Sequence, residues 1–333
     1  MYICAEWKKK EPRMLFLVGD VGGTKTHLAL CDENLVIQRE KIFSSTSYSA
    51  LSLIIKEFLE KEIIQAACFG VAGPIEEGIC RATNLAWIVN AKELEKEFSI
   101  PHLFLINDLL ANAYGLECLS KKELHTLNEG AQLKGNRALI SAGTGLGEAG
   151  LYFDGKNYHP FASEGGHADF APRDELEMEF FRYLKKKYTH VSYERVLSGL
   201  GLYELYQFLI DMQLEKESQE IKIEFLSKDK AAVVGEKGVK KENKACMRAL
   251  KWFISLYGSE AGNLALKFYA LGGVYIGGGI APKILEAMKG ETFLKAFTNK
   301  GRFASLLQQI PIHVVLNQNA ALLGAALYAK KNG

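Results

Sequence analysis

Gly19-Asp20-Val21-Gly22-Gly23-Thr24 sets a carboxylate, paired glycines and a hydroxyl within six positions, just before Lys25 and Thr26. Backbone amides of a glycine turn can lie against phosphate oxygens, with the Thr24 hydroxyl beside them. Asp20 can hold Mg²⁺ through water. The stretch nearly matches the P-loop pattern, but Thr24 stands where that pattern needs its second glycine, and the apolar THLALCD that follows reads as a strand. A strand–turn–strand hairpin is therefore expected. For the glycines alone a plain β-turn is the simpler reading; the acid before them and the threonine after them favour phosphate.

Two further glycine-rich stretches follow strand-like runs. SAGTGLGEAG (141–150) contains a formal G-x-G-x-x-G, but LYFDGK next to it makes a hairpin rather than the helix a dinucleotide fingerprint requires. A second phosphate turn built from Gly143, Thr144 and Gly145 fits better. GGVYIGGGIAP (272–282) places Gly277, Gly278 and Gly279 after a strand and Pro282 at a helix start. Bare backbone there lets a flat ring such as adenine with its ribose approach, and a simple strand-to-helix corner is the equal alternative.

Asn107-Asp108 closes an apolar strand at its C-terminal edge, where α/β proteins bind ligands. Asp108 can serve as a base toward a hydroxyl; helix capping is the plainer role for such a pair. SEGGHADFAP (163–172) sets Glu164 and His167 three apart around two glycines, able to converge on one polar ligand or to serve structure alone. In SYERVLSG, Ser192 reads as a cap and Glu194 lies in the first turn, a placement the helix dipole favours by itself.

The elements that must hold these residues alternate. Strands are expected at 15–20, 26–32 and 35–43, a helix at 48–61, a strand at 66–73, a helix at 91–98, a strand at 102–108 and a helix from 109. Hairpins followed by strand–helix alternation define a mixed sheet in an α/β domain. The order restarts at RALISAG (137–143), with the Asp154-Gly155 turn leading to a third strand, so a duplicated unit is expected. Helices are expected at 174–188 and 245–270, then a strand at 271–278, a strand at 312–316 and a closing helix at 319–331. Residues 214–244 carry 15 charges in 31 positions and read as a solvated excursion.

Composition narrows the classes. The chain has 333 residues, 41 basic and 39 acidic, for a net charge of +2. That balance leaves no electrostatic footprint for nucleic acid or an anionic membrane. Apolar runs are broken well before the length of a membrane span. Six scattered cysteines, with no C-x-x-C, indicate thiols in a reducing compartment rather than a disulfide frame or zinc site. Residues 1–13 lack the apolar stretch of a secretory signal and are expected to be a disordered extension or the product of a start upstream of Met14.

The motifs GDVGGT, IND, GTGLG, EGGHADFAP, SYERVLSG and GGVYIGGGI, in this order, resemble the bacterial glucokinase family of the actin-like ATPase and sugar kinase superfamily. The resemblance runs from Met14 to the last helix, including ATNLAW (82–87) and the closing LGAAL. It implies two actin-like (ribonuclease H-like) α/β domains, each a mixed sheet flanked by helices, around a central cleft that takes ATP, Mg²⁺ and glucose. The smaller domain would comprise 14–118 plus 319–333, and the larger, helix-rich one 119–318. Asp108 matches the family's catalytic base. Asn107, Asp108, Glu164, His167 and Glu194 match its sugar-binding residues. The turns at 19–24, 143–145 and 277–279 match its nucleotide sites. The implied activity is ATP-dependent phosphorylation of D-glucose at the 6-hydroxyl, feeding glycolysis, by a cytoplasmic homodimer. Kinases of another hexose, use of polyphosphate, and a sugar sensor without turnover are the competing readings. Lys25 departs from the family, whose bacterial members often carry asparagine there, and the cysteine-rich zinc motif of the ROK sugar kinases is absent.

Overall fold

The computed structural model describes residues 14–81 and 87–333; the leading 13 residues and most of ATNLAW lie outside the described residues. The chain divides into two compact units, one built from the segments up to Cys118 and from Asn319 onward, the other from Leu119–Gln318.

The first unit opens with β1 (Leu15–Val21), β2 (Lys25–Asp32) and β3 (Ile37–Ser44), continues through α1 (Leu51–Phe58) and β4 (Ile64–Val71), and adds three short strands β5 (Ile75–Glu76), β6 (Ile79–Arg81) and β7 (Ile88–Asn90). Next come α2 (Ala91–Phe98), β8 (His102–Asn107) and α3 (Asp108–Gly115). The main sheet runs β3-β2-β1-β4-β8, with antiparallel hairpins on one side and β1, β4 and β8 parallel on the other.

Because alternate side chains of β1 point to opposite faces, both faces must be covered. Leu17 and Val21 pack with Leu51, Ile54, Ile55 and Phe58 of α1 and with Leu94 of α2. Phe16 and Val18 pack with Ala111 of α3 and with Ala321, Leu322, Ala325 and Ala326 of the last helix. That helix crosses α3 at two bare backbones. A side chain at Gly115 would overlap the Ala320 carbonyl, and one at Gly324 the Ala111 carbonyl.

The second unit begins with β9 (Leu124–Asn128), β10 (Arg137–Ala142), β11 (Leu146–Phe153) and β12 (Tyr158–Ser163). Helices α4 (Glu175–Lys185), α5 (Gly199–Asp211), α6 (Gln219–Glu224), α7 (Lys230–Val239) and α8 (Lys244–Phe268) follow. The unit is completed by β13 (Val274–Gly277), α9 (Leu285–Met288), α10 (Glu291–Thr298), α11 (Ala304–Gln308) and β14 (Ile312–Val315); α12 (Ala320–Asn332) is the last helix, which belongs to the first unit. The sheet order β12-β11-β10-β13-β14-β9 repeats that of the first unit, two hairpins and then two parallel strands, with β9 added antiparallel at the edge. Leu250, Phe253, Tyr257, Ala261 and Leu264 give α8 a buried face in the large core.

The charged stretch 214–244 is not a plain excursion. It folds into α6 and α7, and Ile221, Val233 and Val234 are buried in the main core while lysines and glutamates line the other side. Lys237 alone meets Glu220, Glu224 and Glu242. Cys31, Cys68, Cys80 and Cys246 are buried thiols, and burial pushes the Cys31 thiol up to about 12. Among the described residues no helix is long and apolar enough to cross a membrane.

Candidate active site

In the first unit the turn after β1 joins two strands, as the hairpin reading requires. The Gly22 amide donates to the Lys25 carbonyl at 3.0 Å. Ser45 braces the turn from behind: its amide donates to the Thr24 carbonyl at 3.0 Å and its hydroxyl to the Gly22 carbonyl at 2.8 Å. Thr24 and Lys25 are exposed beyond this brace. Gly19 is needed for packing, since a Cβ there would meet Leu28 and Phe69 at 2.7 Å.

Asp20 and Asp108 stand at the same end of the parallel strands. Asp20 is level with Gly70 of β4, and Val71 is level with Asn107 of β8. Gly70 is the reason α3 can start so close to the sheet: a Cβ there would lie 3.0 Å from Ala111 Cβ and 3.4 Å from Asp108 Cα. Burial, and then the charge of Asp108, push the Asp20 carboxyl up to about 6. The two carboxyls thus interact. That donor set fits a hydrated Mg²⁺, which binds through one or two carboxylates with waters and phosphate oxygens. A cation there would offset the Asp108 repulsion, the smaller of the two causes that raise Asp20.

Asn107 and Asp108 both serve the start of α3. The Asn107 side-chain oxygen accepts from the Leu109 and Leu110 amides at 3.0 and 3.2 Å, so Asn107 is the cap of α3. Asp108 heads the helix with Oδ1 accepting from the Leu109 amide at 2.9 Å.

The second unit gathers the remaining residues. Gly143-Thr144-Gly145 leaves β10 and Gly277-Gly278-Gly279 leaves β13 at the same end of two parallel strands, with Ser141 level with Gly277. Tyr257 pins both: its buried phenol accepts from the Ala142 amide at 3.1 Å and lies 3.5 Å from the Gly277 carbonyl. Gly143 and Gly279 have no atom within 4 Å of a Cβ position, so the space beside both is open, although the Gly143 amide donates to the Gly145 carbonyl at 2.8 Å and its carbonyl accepts from the Gly199 amide at 2.9 Å. Gly278 is different. Its φ is +82°, and a side chain would overlap the Ala142 carbonyl oxygen. Gly278→Ala is expected to cost about 1–3 kcal/mol from backbone strain and overpacking, read as a lowered thermal midpoint.

Glu194 sits in a short turn at Tyr193–Arg195, and its carboxylate accepts from the Leu146 amide at 3.1 Å. A Cβ at Gly145 would come within 2.5 Å of that oxygen. Glu194 is therefore tied to the glycine turn, a link that motif reading did not anticipate. Glu164 and His167 flank another single turn, Gly165–His167, with side chains 75% and 60% exposed and 3.9 Å apart. The two turns are stitched together. The Tyr193 amide donates to Ala168 O at 3.0 Å, Phe170 N to Val191 O at 3.0 Å, and His190 Nε2 lies 2.9 Å from His167 O. Gly166 packs on the Leu146 carbonyl. Sequence reasoning also missed Tyr257 and Glu148; an acid inside the apolar run of β11 was the visible sign of the latter.

The solved glucokinase from an Antarctic psychrotroph matches this fold with a TM-score of 0.80, 31% identity, and 96% of this chain and 99% of that one covered. A glucokinase from Balamuthia mandrillaris, solved with glucose, superposes with a TM-score of 0.82 at 20% identity, covering 96% of this chain and 94% of that one. The fold is that of the sugar kinases of the actin-like ATPase type. In sequence, a family model described as Glucokinase matches residues 17–332. The glucokinase of Nostoc punctiforme is 43% identical over 338 residues, covering 95% of this chain and 99% of that protein. The chain belongs to the glucokinase family.

Proposed function

We propose that this chain transfers the γ-phosphoryl group of ATP to the 6-hydroxyl of D-glucose. The observation that carries the reading is the interacting Asp20 and Asp108 pair, set beside a braced glycine–threonine turn at the C-terminal edge of parallel strands. Phosphoryl transfer asks the protein mainly for positioning and charge stabilisation.

Asp108 takes the proton from the sugar 6-hydroxyl as that oxygen attacks the γ-phosphorus, and the bond from that phosphorus to the β,γ-bridging oxygen breaks to release ADP. Asn107, with its oxygen committed to capping, offers Nδ2–H to a sugar hydroxyl. Glu164, His167 and Glu194 bind further hydroxyls. The turns at 19–24 and 143–145 supply amide and hydroxyl donors to the phosphates, and Gly277–Gly279 the bare surface for the nucleoside. Asp20 would hold Mg²⁺ through water, and that ion, when bound, offsets phosphate charge.

The test is product identification by ³¹P and ¹³C NMR after incubation with glucose and either ATP or polyphosphate. Glucose 6-phosphate formed with ATP is the expected result. ATP hydrolysis without a sugar product, or phosphate on another hydroxyl, would overturn the assignment.

A further inference from the structure

Beneath the turn that carries Glu164 and His167 lies an acid that the scheme above does not use. Glu148, in the middle of β11, is 1% exposed, and its Oε1 meets no hydrogen-bond partner. It is level with Ser163 on β12, and the Ser163 hydroxyl donates to the Glu148 carbonyl at 2.9 Å while accepting from the Gly165 amide at 3.3 Å. Gly165 rests directly on the carboxyl, so that any side chain there would overlap Oε2.

The acid that interacts with Glu148 is Glu260 of α8, fully buried. Glu260 has its own donors. Asn263 Nδ2 reaches Oε2 at 2.7 Å, Lys267 Nζ reaches Oε1 at 3.2 Å, and the Tyr193 phenol also bonds to this carboxyl. Tyr193 is the residue before Glu194. Both sugar-facing turns of this unit therefore stand on one buried carboxyl pair.

Two adjacent buried carboxyls with donors for only one of them cannot both ionise at low cost. The carboxyl without donors must carry a proton and give it to the other. We infer that protonated Glu148 is a positioning residue for sugar binding: its hydrogen bond to Glu260 holds the Gly165 turn, and with it Glu164 and His167, at the height the sugar needs.

Loss of that proton places two like charges under Gly165, with Lys267 and Lys300 as the cations near them. Burial and the facing Glu260 put the titration of Glu148 at about 7, within reach of assay. The other groups facing the pair are Tyr257 and Lys267 of α8, Tyr193, and, around Glu260, Lys300 and Arg173 with Glu177. Burial lowers Lys300 to about 8, so it titrates nearby and must be separated by the variants. Since the folded carboxyl titrates above its ordinary 4.5, the folded chain binds the extra proton between the two values. This group's contribution to stability therefore falls as pH rises from 4.5 through about 7.

This inference rests on the proposed sugar site, and wild-type turnover of glucose near neutral pH tests that site separately. With turnover established, KM for glucose is measured from about pH 6.5 to about pH 8.5 in wild type, Glu148→Gln and Glu260→Gln. In wild type KM is expected to rise about tenfold across that range while KM for ATP and kcat move much less. Glu148→Gln, permanently neutral and able to donate, is expected to keep the low-pH KM throughout and to gain thermal stability above neutrality. Glu260→Gln removes the second charge and leaves an amide able to donate to ionised Glu148, so its KM is expected to stay nearly flat as well. A Glu148→Gln profile that tracks wild type overturns the inference, as does a Glu260→Gln profile that tracks wild type. Should Glu148→Gln lose its native circular dichroism, the Glu260→Gln profile alone decides.

Discussion

Replacing Asp108 by asparagine is expected to lower kcat by about 10²–10⁴-fold, the usual contribution of a general base, while glucose still binds. The local structure should survive. The cap of α3 is made by Asn107, and an amide oxygen at 108 can still accept the Leu109 N–H. What disappears is a group able to take the proton of the attacking hydroxyl. The measurement is kcat beside a glucose dissociation constant from calorimetry. A loss of only a few-fold, or a parallel loss of sugar affinity, would remove Asp108 from the role of base.

Discrimination among sugars is the second large effect. Under the proposed assignment, Glu164, His167, Glu194 and the Asn107 amide each take a sugar hydroxyl as partner. A site built on hydroxyl hydrogen bonds rejects an analogue that lacks one by roughly 10⁴–10⁵-fold, because a polar group is then left unpaired. Glucose is therefore expected to be preferred over mannose and galactose by orders of magnitude in kcat/KM, measured by competition at equal concentration. Comparable turnover of either epimer would show that these side chains do not read the ring.

Much of the scaffold is legible in the residues because glycine turns and strand-end acids leave local signals. The hairpins after Asp20 and Ala142, the parallel strands of each unit and the long α8 all follow from period and punctuation. The short strands β5, β6 and β7 are not legible, since two or three residues carry no period. The charged 214–244 stretch misleads because its composition is averaged over exposed and buried sides. Val233 and Val234 point into the core while the lysines around them remain in water. The link from Glu194 to the Leu146 amide, and the Glu148–Glu260 pair, join residues far apart in the chain. Only the fold brings them together.

The α12 helix covers one face of the first sheet, yet about 200 residues of another folding unit are translated between α3 and that helix. At ribosomal speeds of roughly 5–20 residues per second, the delay is about 10–40 s. Throughout it, Phe16, Val18 and Cys68 emerge without their alanine-rich lining. Nascent chains thus contain the whole of the later-encoded unit before that face of the earlier one is covered.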